Sequence, residues 1–424
     1  MRKKRYSIVF ALVRPFIMAY LYLFHGYRPE PMKDLAQGEA AFILANHNAT
    51  LDPLYVAASF NRPIFFVASD HIFRLGIISK ILTWLVNPIP IVKSQLDLTS
   101  LRRMREAIQE GQLVGLFPEG NRSFSGLPTY ISPSTGKLLK QFKCSLILYR
   151  LDGAYLTDPR WSGSLRRGRM TGRVVKYLSS EEIVKMSWEE IYDIITKYLS
   201  VDAFEHQREN KIAYLGKRLA EHLELVLFIC PYCRELDRLE SHGDFFACKN
   251  CGYRVRYNEY GFFEAADANS KELLDKDKFF DNVGLWYNWQ REVLPEILSE
   301  KRIFEDDYDD SKPIFLDSDQ VLILSEKARR SIIKGEGKIA LYRDRLVFYN
   351  LLNEKDKEQQ KEYEFSFDSI IKIVVHGPKT LQIAKPDNEV WEVKSQTVRS
   401  AYKYILVFET IRNMKGESHG FFSI

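Results

Sequence analysis

Apolar residues are patterned in two ways along this chain, and the change of pattern divides it. Ala41–Ala45 and Leu113–Phe117 are unbroken apolar runs of strand length, as expected of strands covered on both faces. Ser145–Ala154 fits a third core strand. Pro53 suits the first turn of a helix beginning just after Asp52, and Pro118, which has no backbone donor, ends the second run. Together these elements alternate buried strands with a helix start, as in an α/β domain. The last hundred residues instead read as short strands: two around a turn over Lys338–Tyr349, then others near Glu364–Phe367, Ile370–Val375, Leu381–Ile383 and Val390–Val393. Val398, Tyr402, Ile405 and Phe408, at helical spacing, predict a closing amphipathic helix.

Several antiparallel strands closed by one helix resemble a pleckstrin-homology-like (PH/GRAM-type) barrel over 317–424. Such a fold serves lipid binding, protein binding or packing alike. Before it, 266–316 is charged and helix-like, with Val283, Leu285, Trp286 and Trp289 on an apolar face, and Glu305–Asp310 reads as an exposed acidic linker. No internal repeat is evident.

The amino terminus begins Arg2-Lys3-Lys4-Arg5 and continues into an apolar stretch, Ile8–Phe24, interrupted by Arg14 and Pro15. An internal charge and a helix breaker make a poor bilayer span, and no small-residue cleavage site marks a signal peptide. The expected role is a retained interfacial anchor, its basic residues on anionic lipid and Phe10, Leu12, Phe16 and Phe24 in the headgroup boundary. A packed amino-terminal helix is the alternative. Leu75–Leu85, with Lys80 and Trp84, reads either as part of the same surface, admitting acyl chains, or as an amphipathic core helix.

With 424 residues, 46% of them hydrophobic, the chain can form more than one well-filled core. A net charge of +5 is too small to indicate nucleic-acid binding, and no nucleic-acid partner is expected. Four of the five cysteines form two Cys-x2-Cys knuckles, Cys230/Cys233 and Cys248/Cys251, with fourteen residues between them. That spacing predicts a tetrathiolate zinc ribbon over 226–265. Two disulfides are the alternative, disfavoured without a secretion signal. A four-cysteine site has no open position for a reacting water, so its zinc is structural. Few basic residues lie inside the ribbon, which argues for a spacer or interaction module. Cys144 reads as a core thiol.

The chemistry concentrates after the first two runs. Asn46-His47-Asn48-Ala49-Thr50-Leu51-Asp52 offers an imidazole and a carboxylate to orient it, the means of making a hydroxyl nucleophilic at neutral pH. Five residues of regular helix would not put the two side chains on one face, so a loop must bring them together. Phe117-Pro118-Glu119-Gly120-Asn121-Arg122-Ser123 offers a turn in which Gly120 permits unusual backbone or close approach. Arg122 can hold a phosphate bidentately there, with Asn121 and Ser123 adding hydrogen bonds. An N-cap Asp52 with a solvated His47, and a strand exit with a surface Arg122, are the bland readings.

With both motifs in place, the chain resembles the lysophospholipid acyltransferase family of the PlsC-like, 1-acylglycerol-3-phosphate acyltransferase type, through His-x4-Asp and Phe-Pro-Glu-Gly-Asn-Arg-Ser. The resemblance implies a mixed sheet flanked by helices over 1–225. It also implies transfer of a fatty acyl group from acyl-CoA or acyl-carrier protein to a lysophospholipid hydroxyl, at the cytoplasmic face of a phospholipid membrane. It makes His47 the general base, Asp52 its orienting partner, and Glu119, Gly120 and Arg122 the acceptor-phosphate site. Lys93 stands where many members have a phosphate-binding arginine, giving a point charge without the fork. The segment Ser145–Ala154 lacks the Val-Pro-Ile type sequence common in the family. Downstream, Arg160, Arg166, Arg167, Arg169, Arg173 and Lys176 form a run without acidic residues, either a surface for lipid headgroups or donor phosphates or a solvated basic hairpin. Other classes consistent with the chain are a noncatalytic membrane adaptor on the same fold and a zinc-ribbon binding protein.

Overall fold

A computed structural model describes residues 2–31, 39–69, 87–91, 98–305, 307–326, 330–351, 362–386 and 389–416. Lys93 and the stretch Leu75–Leu85 lie outside the described residues. The chain divides into two compact units, 1–160 with 164–216, and 217–424 with 161–163.

The first unit opens with helix α1 (Arg2–His25), followed by β1 (Tyr27–Pro29), β2 (Ala41–Ala45), α2 (Asp52–Ser59), β3 (Ile64–Ser69) and β4 (Ile89–Ile91). Then come α3 (Leu98–Gln109), β5 (Leu113–Leu116), α4 (Ser134–Phe142), β6 (Ser145–Asp152) and α5 (Ala154–Thr157). The unit ends with β7 (Met170–Leu178), α6 (Ser180–Lys185), α7 (Trp188–Leu199) and α8 (Ala203–Asn210). The seven strands form one mixed sheet in the order β1-β7-β6-β2-β5-β3-β4. Strands β6, β2, β5, β3 and β4 run parallel, while β7 is antiparallel to β6. All five residues of β2 are buried, because both faces of the sheet are covered. One face packs Ile43, Tyr55, Tyr149 and Leu151 with Leu21 of α1, and the other packs Phe42, Leu44, Val114 and Leu148 with Ile191 and Ile195 of α7.

Pro15 does not interrupt α1, which runs unbroken for 24 residues. Arg14, the other expected break, donates from Nε to the carbonyl of Ala58 at 2.8 Å, so its charge is turned onto α2. The segment Arg5–His25 is long and apolar enough to cross a membrane. Its Leu21 is buried and Ile17 and Met18 pack on the core, whereas Leu12, Phe16, Leu23 and Phe24 are exposed.

The second unit holds a four-stranded antiparallel sheet, β8 (Leu239–His242), β9 (Phe245–Cys248), β10 (Arg254–Tyr257) and β11 (Phe263–Ala265), then helices α9 (Ala268–Asp275) and α10 (Val283–Glu300). Strands β12 (Phe315–Glu326), β13 (Arg330–Leu341), β14 (Arg345–Asn350), β15 (Glu362–Ser366), β16 (Lys372–His376), β17 (Thr380–Ala384) and β18 (Val390–Ser395) follow, and α11 (Tyr402–Met414) closes the chain. These seven strands are antiparallel in the order β15-β14-β13-β12-β18-β17-β16, two meanders joined along β12.

Where the sequence predicts a linker over 266–316, the structure places a core helix. Trp286 and Gln290 of α10 are fully buried. Trp286 Nε1 donates to Ile229 O at 2.9 Å, and the Gln290 amide accepts from Phe228 N and donates to Val226 O. The stretches expected as ribbon, linker and carboxy-terminal domain fall within the one compact unit formed by 217–424 with 161–163.

Candidate active site

Strand order brings the two sequence motifs together. Parallel neighbours β2 and β5 pair Leu44 with Leu116, so the residues leaving their carboxyl ends, His47 and Phe117–Ser123, emerge side by side. Carboxyl ends of parallel strands are where such sheets hold ligands.

His47 Nδ1 lies 2.8 Å from Asp52 Oδ2. The same oxygen accepts from the backbone N–H groups of Asn48 (2.6 Å) and Ala49 (2.9 Å). Asp52 is fully buried, its helix beginning at that residue with Pro53 in the first turn. A carboxylate so held is an acceptor, so Nδ1 carries the ring proton and Nε2 presents a lone pair. The His47 ring stacks on Phe117, centroids 4.4 Å apart, and keeps 21% of its side chain open to solvent.

The second loop grips the first by its backbone. His47 N donates to Glu119 Oε1 at 3.1 Å, and Ser123 N donates to His47 O at 3.1 Å. Glu119 Oε2 takes a hydrogen bond from Thr129 Oγ1 at 2.6 Å. Burial pushes the Glu119 carboxyl up to about 8, against the two hydrogen bonds that lower it, with Asp52 adding to the rise. Both carboxyl oxygens are thus engaged within the protein, Oε1 by the His47 loop and Oε2 by Thr129. Ser123 Oγ is likewise used internally, donating to Leu127 O and accepting from Gly126 N. Gly120 sits at φ +73° with open space where a Cβ would project, so glycine is required by the turn and not by crowding.

Arg122 Nη1 donates to Thr50 Oγ1 at 2.9 Å and lies 3.6 Å from Asp158 Oδ2. Its Nε and Nη2 make no hydrogen bond among the described residues, which leaves donors for an anion. Asp158 Oδ2 also accepts from Thr50 N at 2.7 Å. Sequence reading missed Asp158, which follows β6 and α5 and belongs to no motif. A cavity of about 330 Å³ adjoins Phe117 and Pro118, apolar along Val67, Ile91, Met104, Leu116 and Leu138 and hydroxyl-lined by Ser132, Ser134 and Thr135.

The downstream basic residues differ in exposure, Arg167 and Arg169 lying at the surface. Arg160 and Arg166 are buried. Arg160 packs on the Phe124 ring and donates to Arg122 O, Arg167 donates to Leu23 O, and Arg173 lies 3.4 Å from Asp152. Backbone carbonyls and one buried carboxylate thus engage Arg160, Arg167 and Arg173. Cys144 packs against the sheet core, its thiol pushed up to about 12 by burial.

In the second unit, the four Sγ atoms of Cys230, Cys233, Cys248 and Cys251 lie within 4.8 Å of one another. Cys230–Cys251 and Cys233–Cys248 are 3.7 and 3.8 Å apart. Four sulfurs about 2.3 Å from a tetrahedral zinc would stand roughly 3.8 Å apart, so the set fits the ion. A disulfide needs about 2.05 Å, and all four thiols are free.

Residues 28–148 match the family model described as Acyltransferase. No curated protein sequence matches the chain. Among solved structures it is similar to the 1-acyl-sn-glycerophosphate (LPA) acyltransferase PlsC from Thermotoga maritima, at 16% identity and TM-score 0.41, over 49% of this chain and 83% of that one. It is also similar to the C-terminal domain of an unknown protein from Leishmania infantum, at 10% identity and TM-score 0.14, over 20% of this chain and 70% of that one. The stretch similar to the acyltransferase family model, residues 28–148, contains both loops of the site.

Proposed function

We propose that the protein is a membrane-surface acyltransferase that moves a fatty acyl group from acyl-CoA or acyl-carrier protein to the hydroxyl of a lysophospholipid. The first candidate acceptor is 1-acylglycerol-3-phosphate, which gives phosphatidic acid. One observation carries the reading: the loop that aligns the His47–Asp52 pair is hydrogen-bonded to the loop that presents Arg122.

His47 Nε2 takes the proton of the acceptor hydroxyl as its oxygen attacks the thioester carbonyl. Asp52 holds the ring and stabilises the imidazolium that forms. The new C–O bond closes, the C–S bond breaks, and the imidazolium returns the proton to the departing thiolate. No acyl-enzyme is needed. Arg122 binds the acceptor phosphate, joined by Lys93, while Gly120 keeps the turn open to it and Glu119 fixes the loop. The cavity beside Phe117 receives an acyl chain. The exposed face of α1 anchors the first unit at the cytoplasmic face of the membrane. Zinc in the four-cysteine set is structural. The strand order of the last domain and its closing helix support a PH-like module.

The test is incubation of purified protein with lysophosphatidic acid and either donor, with phosphatidic acid measured by mass. His47→Ala is expected to lower kcat by about 10²–10⁴-fold with unchanged melting temperature. Retained turnover would remove His47 as the base. Absence of product from any lysophospholipid with either donor would leave the adaptor reading.

A further inference from the structure

Three neighbouring strands, β5, β2 and β6, end side by side, and only the first two carry family motifs. The third supplies a carboxylate. After β6 the chain turns through Gly153 at φ +83° into the single turn α5, and Asp158 caps that turn, its N–H donating to Ala154 O. Asp158 keeps 15% of its side chain exposed and reaches both motif loops through one oxygen. Oδ2 accepts from Thr50 N at 2.7 Å, inside the His47–Asp52 loop, and stands 3.6 Å from Arg122 Nη1. Thr50 closes the triangle, its Oγ1 accepting from the same Nη1 at 2.9 Å.

We infer that Asp158 is a positioning residue for acceptor binding, fixing the Arg122 guanidinium relative to the His47 loop so that phosphate and hydroxyl are held in register. The inference rests on the acyltransferase reading. Its physical basis is that Arg122 is a long side chain on a loop, and a guanidinium free to swing would bind phosphate without placing the hydroxyl at Nε2. Small misplacements of this kind are costly to reaction rates. Asp158 makes two separable contacts. A carboxamide keeps an oxygen for Thr50 N and loses the charge facing Arg122, whereas alanine loses both.

A double-mutant cycle on the full chain separates these. Asp158→Asn is expected to raise KM for lysophosphatidic acid by about 3–10-fold, the range of a partly screened ion pair. Asp158→Ala should raise it further and also lower kcat, because the His47 loop loses its tie. In the Arg122→Ala background, Asp158→Asn should change KM by less than twofold. An equal rise in both backgrounds, or a loss of melting temperature with KM unmoved, would overturn the inference. The same cycle is read on lysophosphatidic acid binding without donor. Coupled binding losses with no turnover by the wild-type protein would uphold the Asp158–Arg122 link and sink the acyltransferase reading, whereas absence of both binding and turnover would overturn both.

Discussion

Glu119 accepts hydrogen bonds from His47 N and Thr129 Oγ1 at a site whose burial disfavours its charge. His47 N is a fixed donor, so Oε1 must accept, while Thr129 Oγ1 can donate or accept. Burial lifts the carboxyl from an ordinary 4.5 to about 8, so in the folded protein it keeps its proton across neutral pH. An unfolded glutamate releases that proton near 4.5. Between these values the folded state binds the extra proton, so this contribution is full below about 4.5 and is lost as pH rises through about 8. The slope is at most about 1.4 kcal/mol per pH unit for one proton. Glu119→Gln keeps an acceptor for His47 N and a donor for Thr129, but cannot titrate. Its melting temperature relative to wild type should therefore rise steadily from pH 5 to 8.5. Parallel curves over that range would show that the carboxyl is ionised throughout. Here the sequence was legible only in part. Residues fixed by their own strand end, His47, Asp52 and Arg122, are readable because local order places them. Glu119 in its motif reads as a phosphate contact, yet one of its partners, His47 N, lies in a loop seventy-two residues away. Asp158 has no motif at all, and only the pairing of β6 beside β2 reveals it.

Elements with uniform burial were the easiest to read, and those with mixed partners the hardest. Runs β2, β5 and β6 declare themselves because both faces are covered. Strand β12, the centre of the last sheet, is hidden by Asp317-Ser318-Asp319-Gln320: its register shifts between Asp317 and Gln320, with Asp319 at φ +58°. Buried Asp317 belongs there because Tyr404 OH donates to it and the ammonium of Lys403 lies 2.8 Å away. The apolar face of helix α10 is legible, but its partners are not: Trp286 packs on Phe246, Tyr253 and Phe263, Tyr287 stacks on Tyr402, and the 226–229 segment is hydrogen-bonded to Gln290 and Trp286. Helix α1 has the opposite character: Leu21 is buried and Ile17 and Met18 pack on the core, while Leu12, Phe16, Leu23 and Phe24 are exposed, the side that the membrane-surface proposal puts against lipid. Burying a Leu or Phe stabilises by about 1.5–3 kcal/mol. The pair Leu12→Glu and Phe16→Glu should accordingly lower partition of the protein onto anionic phospholipid vesicles by at least about tenfold, measured by co-sedimentation. Unchanged partition would place the membrane contact elsewhere.

At the scale of the molecule, the four-cysteine set bears on far more than the ribbon. Its first knuckle lies between the 226–229 segment, hydrogen-bonded to α10, and Asp237, whose carboxylate accepts from Lys403 Nζ at 2.7 Å. Lys403, fully buried on α11, holds Asp317 of β12 on its other side, so one ammonium ties the ribbon to the last sheet. Ser400 adds a bond to Leu225 O at 3.0 Å. A buried cation that loses one of two carboxylates is strongly destabilised, so disorder in the knuckle cannot stay local. A bound zinc ion would neutralise and cross-link the four sulfurs, and its binding energy would be folding energy for the whole second unit. Chelation, or Cys233→Ser, should therefore raise amide exchange at least about tenfold in 283–300 and 402–414 as well as in 230–251, while 41–52 in the first unit keeps its protection. Exchange confined to 230–251 would make the ribbon an independent module. Brief chelation that unfolds the second unit yet leaves turnover in place would assign the metal to architecture and the chemistry to the first unit alone, since a closed tetrathiolate site has no position from which zinc could act on a substrate.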